Sequence, residues 1–356
     1  MKPRERIFKA LEREEPDRIP IFDWDFLRLD MRGIIKDLIG TIESPSVDPI
    51  RACGLVGLDA TIVKPSISEQ KIRKNVWMDE WGVKHRIITD ATGQKRSFAV
   101  EPAIKTKEDM ESYEMPDPCA EERMKPVREV MKIPWEKPYI FGHPQPDGPA
   151  FVLHLRGYEK GLTDPYMHPT LFKGLIHKVT EFSIEVCKMM IEEGIEVFIF
   201  GDDIAYKDGP FWSPKILREF FFPEYKRIVR ELKRYGAQFV IKHTDGDISL
   251  MIDDIIDAGF DVLHPIEPPY MSLKEVKEKY GDRIAVMGNV DCAHILPFGS
   301  LLDVERDVIR CIREAAEGGG YILSSSNSIH SGVKTANFIW MVQSAKKYGK
   351  YPISGV

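Results

Sequence analysis

The residues best suited to chemistry in this chain lie together in His243-Thr244-Asp245-Gly246-Asp247. An imidazole two residues from a carboxylate can hold a divalent metal ion or transfer protons. The apolar run before it, Gln238-Phe239-Val240-Ile241, is typical of a buried strand. A strand would fix these side chains and the following loop would expose them. The alternative is a turn in which Asp245 and Asp247 only cap the next helix.

Polar residues recur at the ends of five further apolar runs. The candidates at these ends are Asp23, Asp25, Asp202, Asp203, His264, Glu267, Asn289, Asp291, Asn327 and His330. Parallel strands of a barrel carry functional residues at their carboxyl ends, so we expect these side chains to converge on one acidic mouth. Such a mouth suits a divalent metal or general acid–base chemistry. Alternatively, Asp202 and Asp203 cap a following segment, and His264 is a buried histidine bonded to backbone.

Eight apolar runs are predicted to be the strands that position these residues. The runs are residues 19–22, 60–63, 139–142, 197–200, 238–241, 261–263, 284–287 and 321–323. They are apolar on both faces, which is typical of buried parallel strands. Helical patterns that stop at glycine separate the later runs, as in repeated βα units. The sequence therefore predicts an α/β fold, a (β/α)8 TIM barrel, with a doubly wound open sheet as the alternative.

The first half of the chain is less regular than the second. Residues 75–100 predict a small β-hairpin insertion, and residues 102–138 are polar and helical, as in an excursion outside the barrel. We find no internal repeat and no low-complexity linker. The expected organisation is one (β/α)8 domain over residues 1–356 with an insertion at about 75–138.

Composition narrows the class of protein. The net charge of -6 argues against binding to nucleic acid as the main function. No apolar run approaches ~18 residues, so no membrane span is expected, and the charged N-terminus lacks a signal core. Five scattered cysteines suit a reducing cytoplasm. Cys292 is expected to be a small buried hydrophobe rather than a nucleophile.

Several motifs resemble the uroporphyrinogen decarboxylase superfamily and, within it, the methyltransferase-like branch. They are Arg4-Glu5-Arg6, Pro16-Asp17-Arg18-Ile19-Pro20, Asp202-Asp203 with Gly209-Pro210 and Ser213-Pro214, His243-Thr244-Asp245-Gly246-Asp247, Gly288-Asn289-Val290-Asp291 and Ile322 to Asn327. The resemblance covers nearly the whole chain. It implies a (β/α)8 barrel, in agreement with the eight predicted strands.

Departures from the family pattern refine the expected chemistry. Porphyrinogen decarboxylases hold substrate carboxylates with an arginine-rich segment after the first strand, where this chain has Asp23 and Asp25, which would repel a polycarboxylate. Corrinoid-linked methyltransferases bind zinc through His-x-Cys and a distant Cys. Here the corresponding places hold His243, Asp245 and about Ser326-Asn327. This set favours Zn, Mn, Mg or Fe held by imidazole and carboxylates, or no metal.

The resemblance implies a methyltransferase that moves a methyl group between a small methylated substrate and a separate corrinoid protein. His243 and Asp245 would be metal ligands or acid–base groups, with Asp203 and Glu267 assisting. The residues expected to contact substrate are Asp23, Asp25, Asp202, His264, Asn289, Asp291, Asn327 and His330.

Two alternatives remain open. The first is a decarboxylase of a smaller carboxylate, for which Arg28, Arg156 and Lys242 are the candidate anchors. The second is a non-catalytic ligand-binding barrel.

Overall fold

The computed structural model describes residues 1–23, 32–41, 43–89, 95–134 and 136–353. The strands are β1 (Ala60–Val63), β2 (Glu69–Arg73), β3 (Val76–Asp79), β4 (Lys84–Thr89), β5 (Lys95–Glu101), β6 (Tyr139–Gly142), β7 (Val197–Phe200), β8 (Ala205–Tyr206), β9 (Gly209–Pro210), β10 (Phe239–His243), β11 (Val262–His264), β12 (Ala285–Met287) and β13 (Tyr321–Ile322). The helices are α1 (Pro3–Leu11), α2 (Arg32–Ile39), α3 (Val47–Val56), α4 (Lys107–Ser112), α5 (Lys125–Met131), α6 (Val152–Arg156), α7 (Tyr158–Met167), α8 (Pro169–Glu192), α9 (Pro214–Ile216), α10 (Phe222–Tyr235), α11 (Ile252–Asp257), α12 (Leu273–Tyr280), α13 (Ile295–Phe298), α14 (Leu301–Ala315) and α15 (Thr335–Tyr348). A π-helical turn, Leu217–Phe221, joins α9 to α10.

The central element is a seven-stranded parallel sheet in the order β1-β6-β7-β10-β11-β12-β13. Strand order follows chain order, without the reversal that defines a doubly wound sheet. Nearly every residue of β1, β7 and β10 is buried, and most are valine, isoleucine or phenylalanine, as expected for a parallel sheet covered on both faces. Seven of the eight predicted strands are therefore confirmed, in an arrangement consistent with a TIM-like barrel.

The segment predicted as the first strand makes single bridges to both edge strands instead of a full strand. Ile21 forms a parallel bridge with Leu323, and Phe22 forms one with Ala60. The Phe22 amide donates to the Leu323 carbonyl at 2.9 Å.

The side chains inside the curled sheet form a separate apolar cluster. It contains Ile7, Ala10, Leu11, Phe22, Ala60, Ile62, Phe141, Val197, Ile199, Ile241, Val262, Ala285, Met287 and Ile322. The first three belong to α1, which covers the interior at the amino ends of the strands. The interior is therefore a packed core, as in TIM barrels, and only the carboxyl ends of the strands are left for a site.

The helices pack on the outside of this sheet through one apolar face, and α10 is an example. In α10 the buried residues Tyr225, Ile228, Val229 and Leu232 fall at helical spacing on one face. Gly236 then ends the helix with φ 132°, a backbone conformation that favours glycine. No helix in the described part of the chain is long and apolar enough to span a bilayer.

Strands β2, β3, β4 and β5 form a four-stranded antiparallel sheet, where the sequence predicted a small hairpin over residues 75–100. Strand β2 lies before the predicted hairpin and is exposed at every position, so it lacks the alternation of buried and exposed residues that marks a strand in sequence. Residues 90–94, within the predicted hairpin, lie outside the described residues.

Candidate active site

The layer of interior side chains above the apolar core is polar. His143, His243, His264 and Ser324 each lie two residues after a member of the apolar cluster, and side chains alternate along a strand with that period. All four are buried. The carboxyl ends of four different strands thus bring three imidazoles and a hydroxyl together, as the sequence predicted for His243 and His264.

Asp203, His243 and Asp245 form a cluster that could hold a metal ion. One ligand atom from each lies within 4.8 Å of the others. His243 Nε2 is 3.5 Å from Asp245 Oδ1 and 4.0 Å from Asp203 Oδ1. His243 ends β10, and Asp203 follows the neighbouring β7, so parallel pairing of these two strands sets the spacing.

Burial favours the neutral form of His243 and His264. Burial is the main cause that places the pKa of His243 well below its ordinary value, and the neighbouring His264 adds to it. Burial lowers the pKa of His264 to about 3. The two Nδ1 atoms are 2.7 Å apart, and His264 Nε2 is 3.0 Å from Ser324 Oγ. A neutral imidazole offers a lone pair on one nitrogen, which is what a metal ligand requires.

The carboxylates of the mouth are crowded, and their proton affinity rises. Burial, followed by the charges of Asp203 and Glu267, raises the pKa of Asp245 to about 8. Burial, with contributions from Asp202 and Glu267, raises the pKa of Asp203 to about 6. The pKa of Glu267 is also raised by burial. Such a group of acids is stabilised by a bound cation or by protons, and perturbed carboxyls of this kind mark functional sites.

Hydrogen bonds hold Asp245 in place but leave one of its oxygens available. The backbone amide of Asp245 donates to Asp203 Oδ1 at 2.8 Å. The side-chain amide of Asn327 donates to Asp245 Oδ2. The next amide, of Gly246, donates to Glu267 Oε2 at 2.7 Å. Asp245 Oδ1 is buried, and no group in the described chain hydrogen-bonds to it. An orphaned carboxylate oxygen beside an imidazole nitrogen fits a divalent cation such as zinc, manganese or iron.

The adjacent acids Asp202 and Asp203 have different environments. Asp202 is buried, and its carboxylate accepts from Lys242 Nζ, from the Tyr225 hydroxyl at 2.5 Å and from the Ala150 amide at 2.9 Å. Asp203, by contrast, leaves 41% of its side chain exposed. Asp202 is therefore a bonded structural acid, while Asp203 belongs to the cluster.

Three residues predicted to contact substrate bond to other parts of the chain. Asn289 donates to the Ile266 carbonyl and accepts from Arg310. The carboxylate of Asp291 accepts from the backbone amides of Ala293 and His294, just before α13. His330 Nε2 lies 3.0 Å from the Cys292 carbonyl. None of the three belongs to the cluster of Asp203, His243 and Asp245.

Of the two acids that follow the first predicted strand, Asp23 lies within the described residues. Asp23 is buried and accepts from Ser325, through its amide at 3.2 Å and its hydroxyl at 3.1 Å. Asp25 lies outside the described residues, as does Arg28.

The other candidate anchors and the cysteine are engaged elsewhere. Arg156 pairs with Asp164 at 2.6 Å, with both side chains buried. Lys242 is fully buried against Asp202. Burial raises the pKa of Cys292 to about 11, so its thiol stays protonated, as expected for a small buried hydrophobe.

Asp147 is a member of the mouth that sequence reasoning missed. It lines a cavity of about 80 Å³ together with Asp203 and Tyr158. Burial, followed by the charge of Asp202, raises the pKa of Asp147 to about 7. The signal was present, because Asp147 follows β6 in a turn of proline and glycine, just as the other candidates follow their strands.

Comparison with known proteins identifies the family. The uroporphyrinogen decarboxylase (URO-D) family profile matches residues 88–348. The chain belongs to this family. Methylcobamide:CoM methyltransferase MtaA of Methanosarcina barkeri is 24% identical over 181 residues, 50% of this chain and 49% of that protein. Uroporphyrinogen decarboxylase of Coxiella burnetii is 20% identical over 185 residues, 51% of this chain and 49% of that protein.

This URO-D family member spans only about half the length of the curated relatives it matches. A solved structure described as a methyltransferase from Methanosarcina mazei has the same fold over 98% of this chain and 99% of its own, with a TM-score of 0.75 and 20% identity. The predicted membership in the methyltransferase-like branch of the superfamily is confirmed.

Proposed function

We propose that this protein is a methyltransferase that moves a methyl group between a small methylated substrate and a corrinoid protein. The observation that carries the proposal is the cluster of Asp203, His243 and Asp245, with a neutral imidazole and an orphaned carboxylate oxygen. The resemblance implies that His243 and Asp245 correspond to the His-x-Cys zinc ligands of the related methyltransferases, with a carboxylate in place of the first thiolate. The MtaA relative supports the choice of reaction.

The same three residues would hold the metal, His243 through Nε2 and the acids through one oxygen each. A bound divalent ion would supply Lewis acidity and polarise the atom that carries or receives the methyl group. Glu267 orients the loop by accepting from the Gly246 amide, and Asn327 orients Asp245. Asp147 and Tyr158 line the cavity beside Asp203, where a small substrate would lie.

Decarboxylation is a second candidate because Asp245, with a pKa of about 8, can carry a proton at neutral pH. A protonated carboxyl could deliver that proton to the carbon that loses CO2. The charges of the described mouth oppose a polycarboxylate substrate, since Asp147, Asp203, Asp245 and Glu267 converge there and Lys242 is paired with Asp202. Uroporphyrinogen is therefore disfavoured as the substrate.

We also propose that the fold is a complete (β/α)8 barrel in one domain over residues 1–356. The support is the pair of parallel bridges made by Ile21 and Phe22, which join the segment 19–22 to both edge strands as an eighth strand would. In this arrangement the sheet at residues 69–101 is an insertion after β1.

Metal content of the full chain tests the site. We expect about one divalent ion per chain in the wild-type protein, lost in His243→Ala. His177→Ala is the matched control, because His177 is an exposed histidine on α8, 55% exposed, and should leave the metal in place. Wild-type protein that binds no ion after incubation with zinc, manganese or iron would rule out the metal site.

Turnover tests the reaction. Demethylation of methylcobalamin in the presence of a thiol changes its visible absorption, and we expect it to depend on His243 and Asp245. Release of CO2 from small carboxylates, without methyl transfer, would favour the decarboxylase. Neither activity with any substrate tried, together with ligand binding, would favour a non-catalytic barrel.

A further inference from the structure

A line of hydrogen bonds runs from the candidate metal ligand His243 across the inside of the barrel. His243 Nδ1 lies 2.7 Å from His264 Nδ1, and His264 Nε2 lies 3.0 Å from Ser324 Oγ. The Ser324 hydroxyl is 2.8 Å from the Ser325 carbonyl oxygen. His243, His264 and Ser324 are at most 3% exposed, so the line is shielded from water.

The last member of the line fixes the direction of every bond in it. The Ser324 hydroxyl has one proton, and its contact with the Ser325 carbonyl oxygen, at 2.8 Å, is shorter than its contact with His264 Nε2, at 3.0 Å, which assigns the proton to the bond with Ser325. Ser324 Oγ is then the acceptor for a proton on His264 Nε2. A neutral imidazole carries one proton, so His264 Nδ1 must accept, and the proton between the rings belongs to His243 Nδ1.

We propose that His264 and Ser324 are positioning residues that lock His243 in the tautomer protonated at Nδ1. This inference rests on the proposed function, because it assigns the lone pair of His243 Nε2 to the side that faces Asp203 and Asp245. Groups that bond the far nitrogen of a metal-ligating histidine fix its tautomer and ring orientation. Here a second histidine and a serine take the place of the usual carboxylate or carbonyl.

The tautomer decides what His243 can do. A lone pair on Nε2 points at two carboxylate oxygens, 3.5 and 4.0 Å away, and these three electron-rich atoms repel one another unless a positive centre lies among them. A divalent ion would be such a centre, and a proton on Asp245 would be another. His243 is therefore a ligand or proton acceptor at Nε2, and it cannot donate a proton there while the line is intact.

The line also ties the site to the barrel wall. His243 and His264 are paired residues of adjacent strands. Ser325, whose carbonyl ends the line, donates through its amide and its hydroxyl to Asp23, in the segment that bridges the other edge of the sheet. Asp23, which was predicted to contact substrate, thus holds Ser325 at the end of the line. A change at Ser324, which follows β13, should therefore reach His243 at the end of β10.

Nitrogen NMR reads the tautomer directly in the full-length, metal-free protein. With histidine labelled with 15N at both ring positions, long-range proton–nitrogen correlations distinguish a protonated nitrogen from a bare one. The nine histidines give nine ring patterns, and the one lost in His243→Ala is His243. We expect a protonated Nδ1 and a bare Nε2. A proton on Nε2 would overturn the proposal without any need for a variant.

Variants of Ser324 test the effect on the site. Ser324→Ala should reduce the fraction of the Nδ1 tautomer and weaken zinc binding by about 10–100-fold. Ser324→Thr keeps the hydroxyl and should restore most of both. Ser183→Ala is the matched control, because Ser183 is a buried serine whose hydroxyl also donates to backbone carbonyls, of Pro146 and Val179, outside the line. It should leave both readouts unchanged.

The two readouts separate this inference from the proposed function. If wild-type protein binds no metal but shows the Nδ1 tautomer, lost in Ser324→Ala, the positioning role stands and the metal site fails. If metal binds and Ser324→Ala changes neither the tautomer nor the affinity for zinc, the positioning role is wrong.

Discussion

Aspartates at the two ends of the barrel have opposite electrostatic environments. At the amino end, Asp59 is buried and accepts from Arg6 and Arg18, each with a closest contact of 2.7 Å, and from the Ile21 amide at 2.9 Å. At the carboxyl end, Asp245 is surrounded by other acids, and one of its oxygens has no hydrogen-bond partner among the described residues.

The difference in environment suggests that the acids at the amino end stabilise the fold, whereas those at the carboxyl end serve binding or catalysis. At the amino end, the Arg6 guanidinium beside Asp17 holds the pKa of that carboxyl well below its usual range. At the carboxyl end, burial and like charges raise the pKa of Asp203 and Asp245. A paired carboxylate stabilises the fold, whereas a crowded one costs stability that only a ligand can recover. The same substitution, Asp→Asn, should therefore have opposite effects at the two ends.

The largest expected effect is at the amino end. Asp59→Asn should lower the free energy of unfolding by about 3–5 kcal/mol, because it leaves Arg6 and Arg18 without their shared buried anion. Urea unfolding followed by circular dichroism measures the change. Arg218→Ala is the control, because it breaks an Arg–Asp pair at the surface, where Arg218 is 56% exposed, and should cost less than about 1 kcal/mol. Equal costs for the two variants would contradict the contrast.

The next effect is the pH dependence of metal binding at the carboxyl end. Asp245, with a pKa of about 8, and Asp203, with a pKa of about 6, must lose their protons to bind a cation. Zinc affinity, measured by competition with a chromophoric chelator, should fall about tenfold for each pH unit between pH 8 and pH 6. His243 adds nothing to the slope, because burial keeps its pKa well below this range. An affinity that stays constant from pH 8 to pH 6 would show that these acids are not ligands.

The positions of the strands could be predicted from the sequence because each buried strand is a short apolar run bounded by polar residues. The helix α8 was not predicted, although its buried residues Phe172, Leu175, Ile176 and Val179 are at helical spacing. Strand β2 could not be predicted, because every position in it is exposed. Periodicity reports burial against one face, so an element with no buried face gives no such signal.

The candidate site was predicted as a set of polar residues at strand ends. The sequence could not show which of them lie in the cluster and which bond to other parts of the chain. Asp202 and Asp203 are neighbours, yet Asp202 is directed to its partners by Tyr225, 23 residues away, and Lys242, 40 residues away. Likewise, His264 was predicted to contact substrate, and its bonds to His243 and Ser324 depend on strand register. Contacts between residues so far apart in the sequence depend on how the whole barrel packs, and the local sequence pattern does not reveal them.

The smallest expected effect has the opposite sign from that of Asp59→Asn. An aspartate has a pKa of about 3.9 in the unfolded chain, and that of Asp245 is about 8 in the folded protein. The folded state therefore binds this proton more tightly, and its stability falls as pH rises from about 4 through about 8. Asp245→Asn removes this cost. Because the Asp245 side chain is 25% exposed, solvent screens much of it, and at pH 8 the metal-free variant should exceed wild type by about 1–2 kcal/mol.

Urea unfolding in the presence of a chelator, at pH 5 and at pH 8, measures this gain. The advantage of Asp245→Asn should be larger at pH 8, because the wild-type carboxyl is mostly protonated at pH 5 and carries little charge to bury. Saturating zinc should reverse the order, since only the wild-type protein keeps both carboxylate ligands and gains stability from the bound ion. A variant less stable than wild type at pH 8 without metal would mean that Asp245 is a paired structural acid like Asp59, and the contrast between the two ends of the barrel would be wrong.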